Sequence, residues 1–238
     1  SSTMAASYPL FFLLLLSLSS SKANAFSSSP LSNSSPMPMS STSSNKIAIV
    51  GCGVLGASLC KQLLSHQYFA NQSIVGITKS TNRHDAIRDQ VLGGSSDDND
   101  EEQSSRFQLL TMDSVVESAQ QYTDVVFCAP PSGFDDYPTA VKYAATQLWS
   151  GKNKGSFVFT SSGGVYEGLD GETVTESSST IDPIANPRQG RMIYAEQQVI
   201  ELGGCALRLA GLYTLERGAH NYWLEKCSES GIQGREDG

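Results

Sequence analysis

Three spaced glycines that follow an apolar run constrain this chain more than any other feature. Residues 46–50 have the apolar pattern of a buried strand, and a glycine-rich turn at residues 51–56 follows at once. In such a strand–turn–helix unit the first glycine permits a tight bend, the second lets the backbone approach a pyrophosphate, and the third permits close packing of helix and strand. A dinucleotide then places its phosphates at the positive end of the helix. The predicted phosphate-binding residues are Gly51, Gly53, Val54, Leu55 and Gly56.

Strand and helix patterns alternate along the rest of the chain. Further strands are predicted at residues 73–77, 107–110, 124–129, 156–160 and 205–209. Helices are predicted at residues 57–67, 85–92, 137–149 and 187–202. This alternation predicts an α/β fold, a Rossmann-type doubly wound and mainly parallel sheet, with the ligand across the carboxyl ends of its strands. Ala129 and Pro130, at the end of the fourth strand, are therefore predicted to join the cofactor site.

The segment after the second strand indicates which nucleotide is bound. An NAD-binding protein is expected to place an acidic residue about 20 residues beyond the glycines, where it binds the ribose 2′-hydroxyl. Here the segment carries two cations and several hydroxyls, and it has no acidic residue before Asp85. An acid would repel a 2′-phosphate, whereas a lysine and an arginine attract it. NADP is therefore expected rather than NAD, and the residues predicted to hold it are Thr78, Lys79, Ser80 and Arg83.

The first 45 residues differ in composition from a folded domain. An apolar run at residues 10–16, followed by serines and an A-x-A site at residues 23–25, is typical of a secretory signal peptide. The run is shorter than the roughly 20 residues that span a bilayer, so stable membrane insertion is not expected after processing. Residues 26–45 are serine-rich without acids and are expected to be a disordered transit-like segment. Residues 46–238 are predicted to form one dinucleotide-binding domain.

The junction at residues 23–26 and the cysteines bear on the compartment. The sequence Ala-Asn-Ala-Phe at these positions resembles the cleavage motif of the bipartite plastid presequences of diatoms and related algae, which implies a plastid protein. Ordinary secretion is the alternative. The five cysteines argue against secretion, because their number is odd and no paired spacing indicates a disulfide framework. Cys52, Cys60 and Cys128 fall in predicted core elements and are expected to be reduced.

Charge excludes several classes of partner. The formal net charge is −8 and no basic cluster occurs, so nucleic acid and anionic membranes would be repelled by most of the surface. The acidic run at residues 97–102 has no EF-hand pattern and is predicted to be a solvated loop rather than a metal site. Nucleic acid is therefore not expected as a partner.

Two later segments carry a family resemblance. Residues 160–167 read Thr-Ser-Ser-Gly-Gly-Val-Tyr-Glu, and residues 207–213 read Leu-Arg-Leu-Ala-Gly-Leu-Tyr. Together with the glycine turn they resemble the extended short-chain dehydrogenase/reductase superfamily, the NAD(P)-dependent epimerase/dehydratase group. The resemblance implies that a serine or threonine four residues before the Val-Tyr tyrosine polarises the substrate carbonyl or hydroxyl. That residue is Ser162.

The reactive pair of that family is missing. The resemblance implies a Tyr-x-x-x-Lys pair, in which the lysine lowers the tyrosine pKa so that a phenolate acts as general base. Alignment on the Ala-Glu-Gln at residues 195–197 puts Arg188 at the tyrosine position and Met192 at the lysine position. Tyr194 lies nearby but has Gln198, without charge, four residues on. Such losses, with Arg191 five residues before the glutamate, resemble the atypical branch of the superfamily, and Tyr194 and Arg191 remain as catalytic candidates beside Ser162.

Two functions from different classes follow. The first is an NADP-dependent oxidoreductase or epimerase-like enzyme that acts on a small hydroxyl or carbonyl substrate. The second is a catalytically silent NADP-binding protein that senses redox state or assists assembly. A dehydrogenase of the prephenate type ranks below both, because that type lacks the Ser-Ser-Gly-Gly-Val-Tyr turn.

Two weaker candidates and the end of the chain complete the expectations. His220 could act as a base, and Cys52 at the helix start could have a lowered pKa, although an incidental histidine and a small filler are the simpler interpretations. The polar, glycine-rich stretch at residues 231–238 carries no further strand or helix pattern. We therefore expect the domain to be incomplete, with an exposed sheet edge that invites association, including a homodimer.

Overall fold

The computed structural model describes residues 45–93, 100–168 and 171–212, together with residues 218, 221 and 223–226. The predicted presequence, His220 and the stretch at residues 231–238 lie outside the described residues. Among those described, no helix has the length and apolar character needed to cross a bilayer. The described residues also contain no cluster of metal-ligating side chains.

Six parallel strands form one sheet in the order β3-β2-β1-β4-β5-β6. The strands are β1 (Lys46–Val50), β2 (Ser73–Thr78), β3 (Phe107–Thr111), β4 (Asp124–Phe127), β5 (Phe157–Ser162) and β6 (Cys205–Leu209). The predicted doubly wound, parallel α/β fold is confirmed. The order reverses between β1 and β4, and a ligand of such a sheet binds beyond the carboxyl ends of the strands at that point.

Helices cover both faces of the sheet. They are α1 (Val54–Ser65), α2 (His84–Leu92), α3 (Asp100–Arg106), α4 (Met112–Ser118), α5 (Tyr137–Tyr143), which continues as a π-helical turn at Ala144–Leu148, and α6 (Pro187–Glu201). Successive β1 residues join different cores: Ile47 and Ile49 pack in a cluster with α1, and Ala48 and Val50 pack in a cluster with α5 and α6. Strands buried on both faces explain why the strand segments read as unbroken apolar runs.

The structure corrects the prediction for the acidic run. Asp100, Glu101 and Glu102 begin α3 instead of lying in a loop, and the earlier residues of the run lie outside the described residues. Acidic side chains are favourable in a first helical turn, because the amide groups there carry partial positive charge. The prediction weighed charge alone and overlooked that position effect.

A second correction concerns α4, which the sequence analysis did not predict. This short helix is held at its start by a capping box: the Thr111 side chain accepts from the Ser114 amide at 3.3 Å, and the Thr111 amide donates to the Ser114 hydroxyl at 3.2 Å. Two hydrogen bonds thus satisfy groups that a helix start leaves free. Seven residues are too few to show a clear helical period in sequence.

Candidate functional site

The turn after β1 is attached to the end of β2. The Gly51 and Cys52 amides both donate to the Ile77 carbonyl, at 2.9 and 3.1 Å. The Gly53 amide donates to the Gly51 carbonyl at 2.7 Å, and α1 begins directly afterwards. These bonds fix a tight bend at the carboxyl edge of the sheet, where the sequence predicted it.

Each glycine of the turn has its own structural reason. Gly51 has a φ of +86°, and a Cβ there would lie 2.3 Å from the Ala129 nitrogen. A Cβ on Gly56 would lie 2.5 Å from the Gly51 carbonyl oxygen. Gly53 differs, since the nearest atom to a Cβ built on it, again the Gly51 oxygen, is 4.0 Å away. Packing among the described residues therefore requires the first and third glycines but not the second.

The start of α1 presents backbone donors. Its first-turn amides have no carbonyl partner within the helix, and Gly53, the N-cap, supplies no side-chain acceptor. Val54 is 42% exposed, and no acidic side chain lies in the first turn. These donors and the helix dipole give this point a positive electrostatic potential.

The end of β2 carries the cations predicted to select the nucleotide. The Thr78 hydroxyl lies 2.7 Å from His84 Nε2 and donates to the Ser80 carbonyl at 3.0 Å. Lys79 Nζ donates to the Gly133 carbonyl at 3.5 Å, which brings the lysine across to the loop after β4. Ser80 and Arg83 are exposed, and Arg83 immediately precedes α2. Sequence reasoning missed His84, although its place one residue after Arg83 was a usable signal.

The loop after β4 closes the edge opposite the glycine turn. Ala129 is buried against Gly51, and its carbonyl accepts from the Tyr137 hydroxyl at 2.8 Å. Pro130 is exposed and precedes a 3-10 turn at Pro131–Gly133. Burial raises the pKa of Tyr137, while the positive charge of Arg191 opposes that rise. Tyr137 is thus a neutral hydrogen-bond donor that holds the loop in place.

The three predicted catalytic residues lie on two elements, Ser162 at the end of β5 and Arg191 and Tyr194 in α6. Ser162 ends β5, is exposed, and its hydroxyl accepts from the Gly164 amide at 3.1 Å. Arg191 is partly buried, and its Nε donates to the Arg188 carbonyl at 3.3 Å. Tyr194 is 41% exposed. Within the part of the chain that the structure describes, no hydrogen bond links Ser162 to Arg191 or to Tyr194.

A buried charged cluster lies beside Ser162, and the sequence analysis did not predict it. Glu196, only 2% exposed, accepts from the Ser161 hydroxyl and forms a two-pronged ion pair with Arg208, with an Nη2–Oε2 distance of 2.7 Å. The Arg208 guanidinium also lies 4.7 Å from the centre of the Tyr166 ring. The hydrogen bonds that Arg208 donates to Glu196 raise the pKa of Arg208. We name these four side chains the Glu196 cluster; they join β5, α6, β6 and the turn after β5.

This chain resembles known proteins in its fold rather than in its sequence. No protein-family profile matches the sequence, and no curated protein matches it either. Solved structures do match. The Bordetella bronchiseptica enzyme WbmH in complex with NAD+ superposes with a TM-score of 0.50 at 17% identity, over 78% of this chain and 63% of that one.

A second structure points the same way. The terminal R domain of the myxalamid PKS-NRPS biosynthetic pathway superposes with a TM-score of 0.52 at 14% identity, over 71% of this chain and 50% of that one. The chain has a Rossmann-type fold. At these identities the likeness shows the fold alone, and this chain spans less than two thirds of either neighbour.

Proposed function

We propose that this chain binds a nicotinamide dinucleotide across the carboxyl ends of β1, β2 and β4. The observation that carries the proposal is the open space at Gly53. Gly51 and Gly56 are explained by the protein's own packing, whereas Gly53 is not, so its missing side chain leaves room for a group that approaches from outside. The first-turn amides of α1, which have no carbonyl partner within the helix, follow directly after Gly53, and they suit a pyrophosphate.

The fold neighbours support the same ligand class. WbmH, whose structure superposes on this chain with a TM-score of 0.50, was solved in complex with NAD+. In a doubly wound sheet the crevice lies where the strand order reverses, which here is between β1 and β4. Gly51 and Ala129 meet at that crevice. The residues present therefore fit a dinucleotide.

We further propose NADP rather than NAD. Lys79 and Arg83 are exposed beyond the end of β2, where a ribose 2′-substituent lies in this fold. No carboxylate stands in the segment before Asp85 to repel a phosphate. His84, hydrogen-bonded to Thr78, orders the same segment. Two cations and two hydroxyls thus lie in the segment where the phosphate is proposed to bind.

The chemistry proposed is that of an oxidoreductase or an epimerase-like enzyme on a small hydroxyl or carbonyl substrate. A nicotinamide ring supplies hydride transfer when it is bound. Ser162, exposed at the end of β5, would bind and orient the reacting oxygen of the substrate. The Glu196 cluster holds the turn that carries Ser162, because Ser161 precedes it and Tyr166 follows it.

A second candidate, a catalytically silent NADP-binding protein, is favoured by one observation. Met192, which stands where the resembled family has its lysine, is 9% exposed and packs in the core beneath the site. Arg188, at the family's tyrosine position, is exposed at the start of α6. The described residues thus offer no phenol with an adjacent cation at that position.

Nucleotide titration of the purified chain tests the binding proposal. We expect saturable binding of NADPH, followed by nucleotide fluorescence, and its loss in Gly53→Val, because the added side chain fills the space meant for the pyrophosphate. The matched control is Gly211→Val, since a Cβ on Gly211 meets no atom of the described residues within 4 Å. Retained binding in Gly53→Val would contradict the proposal. Hydride exchange with a panel of carbonyl compounds, and its loss in Ser162→Ala, then separates the enzyme from the silent binder.

A further inference from the structure

Two thiols meet beneath the glycine turn. Cys52 lies between the first two glycines, and Cys60 lies in α1. Their sulfur atoms are 3.7 Å apart, and the side chains are 2% and 0% exposed. Either thiol can donate the hydrogen bond between them. A pair of reduced cysteines therefore packs directly against the proposed binding site.

Both members of the pair are held by their surroundings. The Cys52 amide is bonded to the Ile77 carbonyl, and a Cβ on Gly76 of β2 would lie 2.8 Å from the Cys52 sulfur. Cys60 is carried by the second turn of a packed helix. A disulfide needs a sulfur–sulfur distance near 2.04 Å, so the two sulfurs must approach by about 1.7 Å. Because both side chains are packed against neighbouring groups, we expect that approach to shift the glycine turn or the first turns of α1.

The two thiols have different reactivity. The hydrogen bond from Cys60 lowers the pKa of the Cys52 thiol, and burial acts in the opposite direction. The same hydrogen bond, with burial, raises the pKa of Cys60. The lower pKa favours Cys52 as the thiol that attacks an oxidant, with Cys60 as the resolving thiol.

We propose that Cys52 and Cys60 form a redox-active dithiol, which hydrogen peroxide oxidises to a disulfide that weakens dinucleotide binding. In the first step Cys52 sulfur bonds to one peroxide oxygen, the O–O bond breaks, and the departing hydroxide takes a proton to give water. In the second step Cys60 sulfur attacks the sulfenic sulfur, the S–O bond breaks, and a second water leaves. Two thiols lose two electrons and the peroxide gains them.

The link to binding is geometric and rests on the proposed function. Gly51 and Gly56 leave no room for a side chain against neighbouring backbone atoms, so a shift of the turn changes the site around Gly53. A bound nucleotide holds the turn in its present shape and covers it. Coupling of this kind is reciprocal: if the disulfide weakens nucleotide binding, the nucleotide disfavours the disulfide by the same factor.

Peptide mapping tests the dithiol directly. The full chain, reduced and then treated with hydrogen peroxide, is alkylated, digested and analysed by mass spectrometry. We expect a linked Cys52–Cys60 peptide, absent in Cys60→Ala and in Cys52→Ala. Cys205→Ala removes a partly buried thiol of β6 and should leave the linked peptide unchanged. Absence of the linked peptide in the parent chain, or linkage of Cys52 to another cysteine instead, would overturn the proposal.

NADPH titration of the same samples tests the coupling. We expect roughly tenfold weaker binding after oxidation, full recovery with dithiothreitol, and no peroxide response in Cys60→Ala. NADPH added beforehand should slow formation of the linked peptide. Equal affinity of the oxidised and reduced chains would overturn the coupling. A reduced chain that binds no dinucleotide would refute the proposed function and the coupling together, while the mapping result would still decide the dithiol by itself.

Discussion

The two halves of the proposed site are built in opposite ways. The glycine-turn region, residues 46–84, presents backbone donors and exposed cations around an open space at Gly53. The Ser162 region, residues 157–209, contains the Glu196 cluster, whose charges are paired with one another. The first region has polar groups left for a ligand, and the second uses most of its polar groups for its own structure. The proposed nucleotide site therefore has polar groups available to a ligand, whereas the proposed catalytic region has few.

The largest expected effect tests the structural role of the Glu196 cluster. Glu196→Ala leaves the partly buried Arg208 guanidinium and the Ser161 hydroxyl without their shared acceptor. Removing one partner of a buried ion pair costs about 3 kcal/mol, so the free energy of unfolding should fall by that amount. Urea unfolding measures it. Glu201→Ala, which changes an exposed glutamate at the end of the same helix, is the control. Equal losses of unfolding free energy in both variants would show that the Glu196 cluster does not stabilise the fold.

The next effect is a difference in stability between substitutions at two glycines of the same turn. Gly51→Ala should lower the free energy of unfolding by about 2 kcal/mol, because the left-handed φ disfavours a side chain and the added Cβ meets the Ala129 backbone. Gly53→Ala should leave the unfolding free energy within about 1 kcal/mol of the parent value, because the nearest atom to its Cβ, the Gly51 oxygen, is 4.0 Å away. Thermal and urea unfolding of both variants compare them. Equal destabilisation would mean that Gly53 is also required for packing.

A smaller effect sharpens the assignment of the glycine-turn region. Lys79→Ala with Arg83→Ala should weaken NADPH binding roughly tenfold, because charged hydrogen bonds to the phosphate are lost at an exposed site. NADH binding should change little. Calorimetric titration with both nucleotides measures the ratio, and Arg88→Ala, an exposed cation of α2, is the control. A parent protein with equal affinity for the two nucleotides would refute the NADP assignment.

The smallest expected effect concerns Tyr122, which lies outside both regions. Tyr122 is fully buried, its hydroxyl has no hydrogen-bond partner among the described residues, and burial raises its pKa from 10.0 to about 12. Above pH 10 the unfolded chain releases this proton before the folded chain does, so stability should fall between pH 10 and 12. Tyr122→Phe should reduce that loss and raise stability near pH 7 by roughly 1 kcal/mol. Urea unfolding at several pH values checks both, and an unchanged alkaline slope would contradict the assignment to Tyr122.

Much of the fold followed from local sequence patterns. The apolar runs predicted all six strands to within about two residues, since strands buried on both faces are mostly apolar. The spacing of Gly51, Gly53 and Gly56 predicted the turn and the start of α1. Short capped elements such as α4 were missed, because their stability comes from two hydrogen bonds rather than from a hydrophobic period.

The sequence by itself determined the strand and helix order, the glycine turn, and the cations after β2, because each depends on residues close together in the chain. Only the tertiary structure decided which polar side chains meet. Glu196 reaches Arg208 from a helix to a strand, and Cys52 reaches Cys60 because the turn folds back against α1. The tertiary structure also showed that Ser162 is not hydrogen-bonded to Tyr194 or Arg191 within the described residues, although the sequence grouped them as candidates. Such contacts depend on the packing of elements against one another, and residue spacing does not encode it.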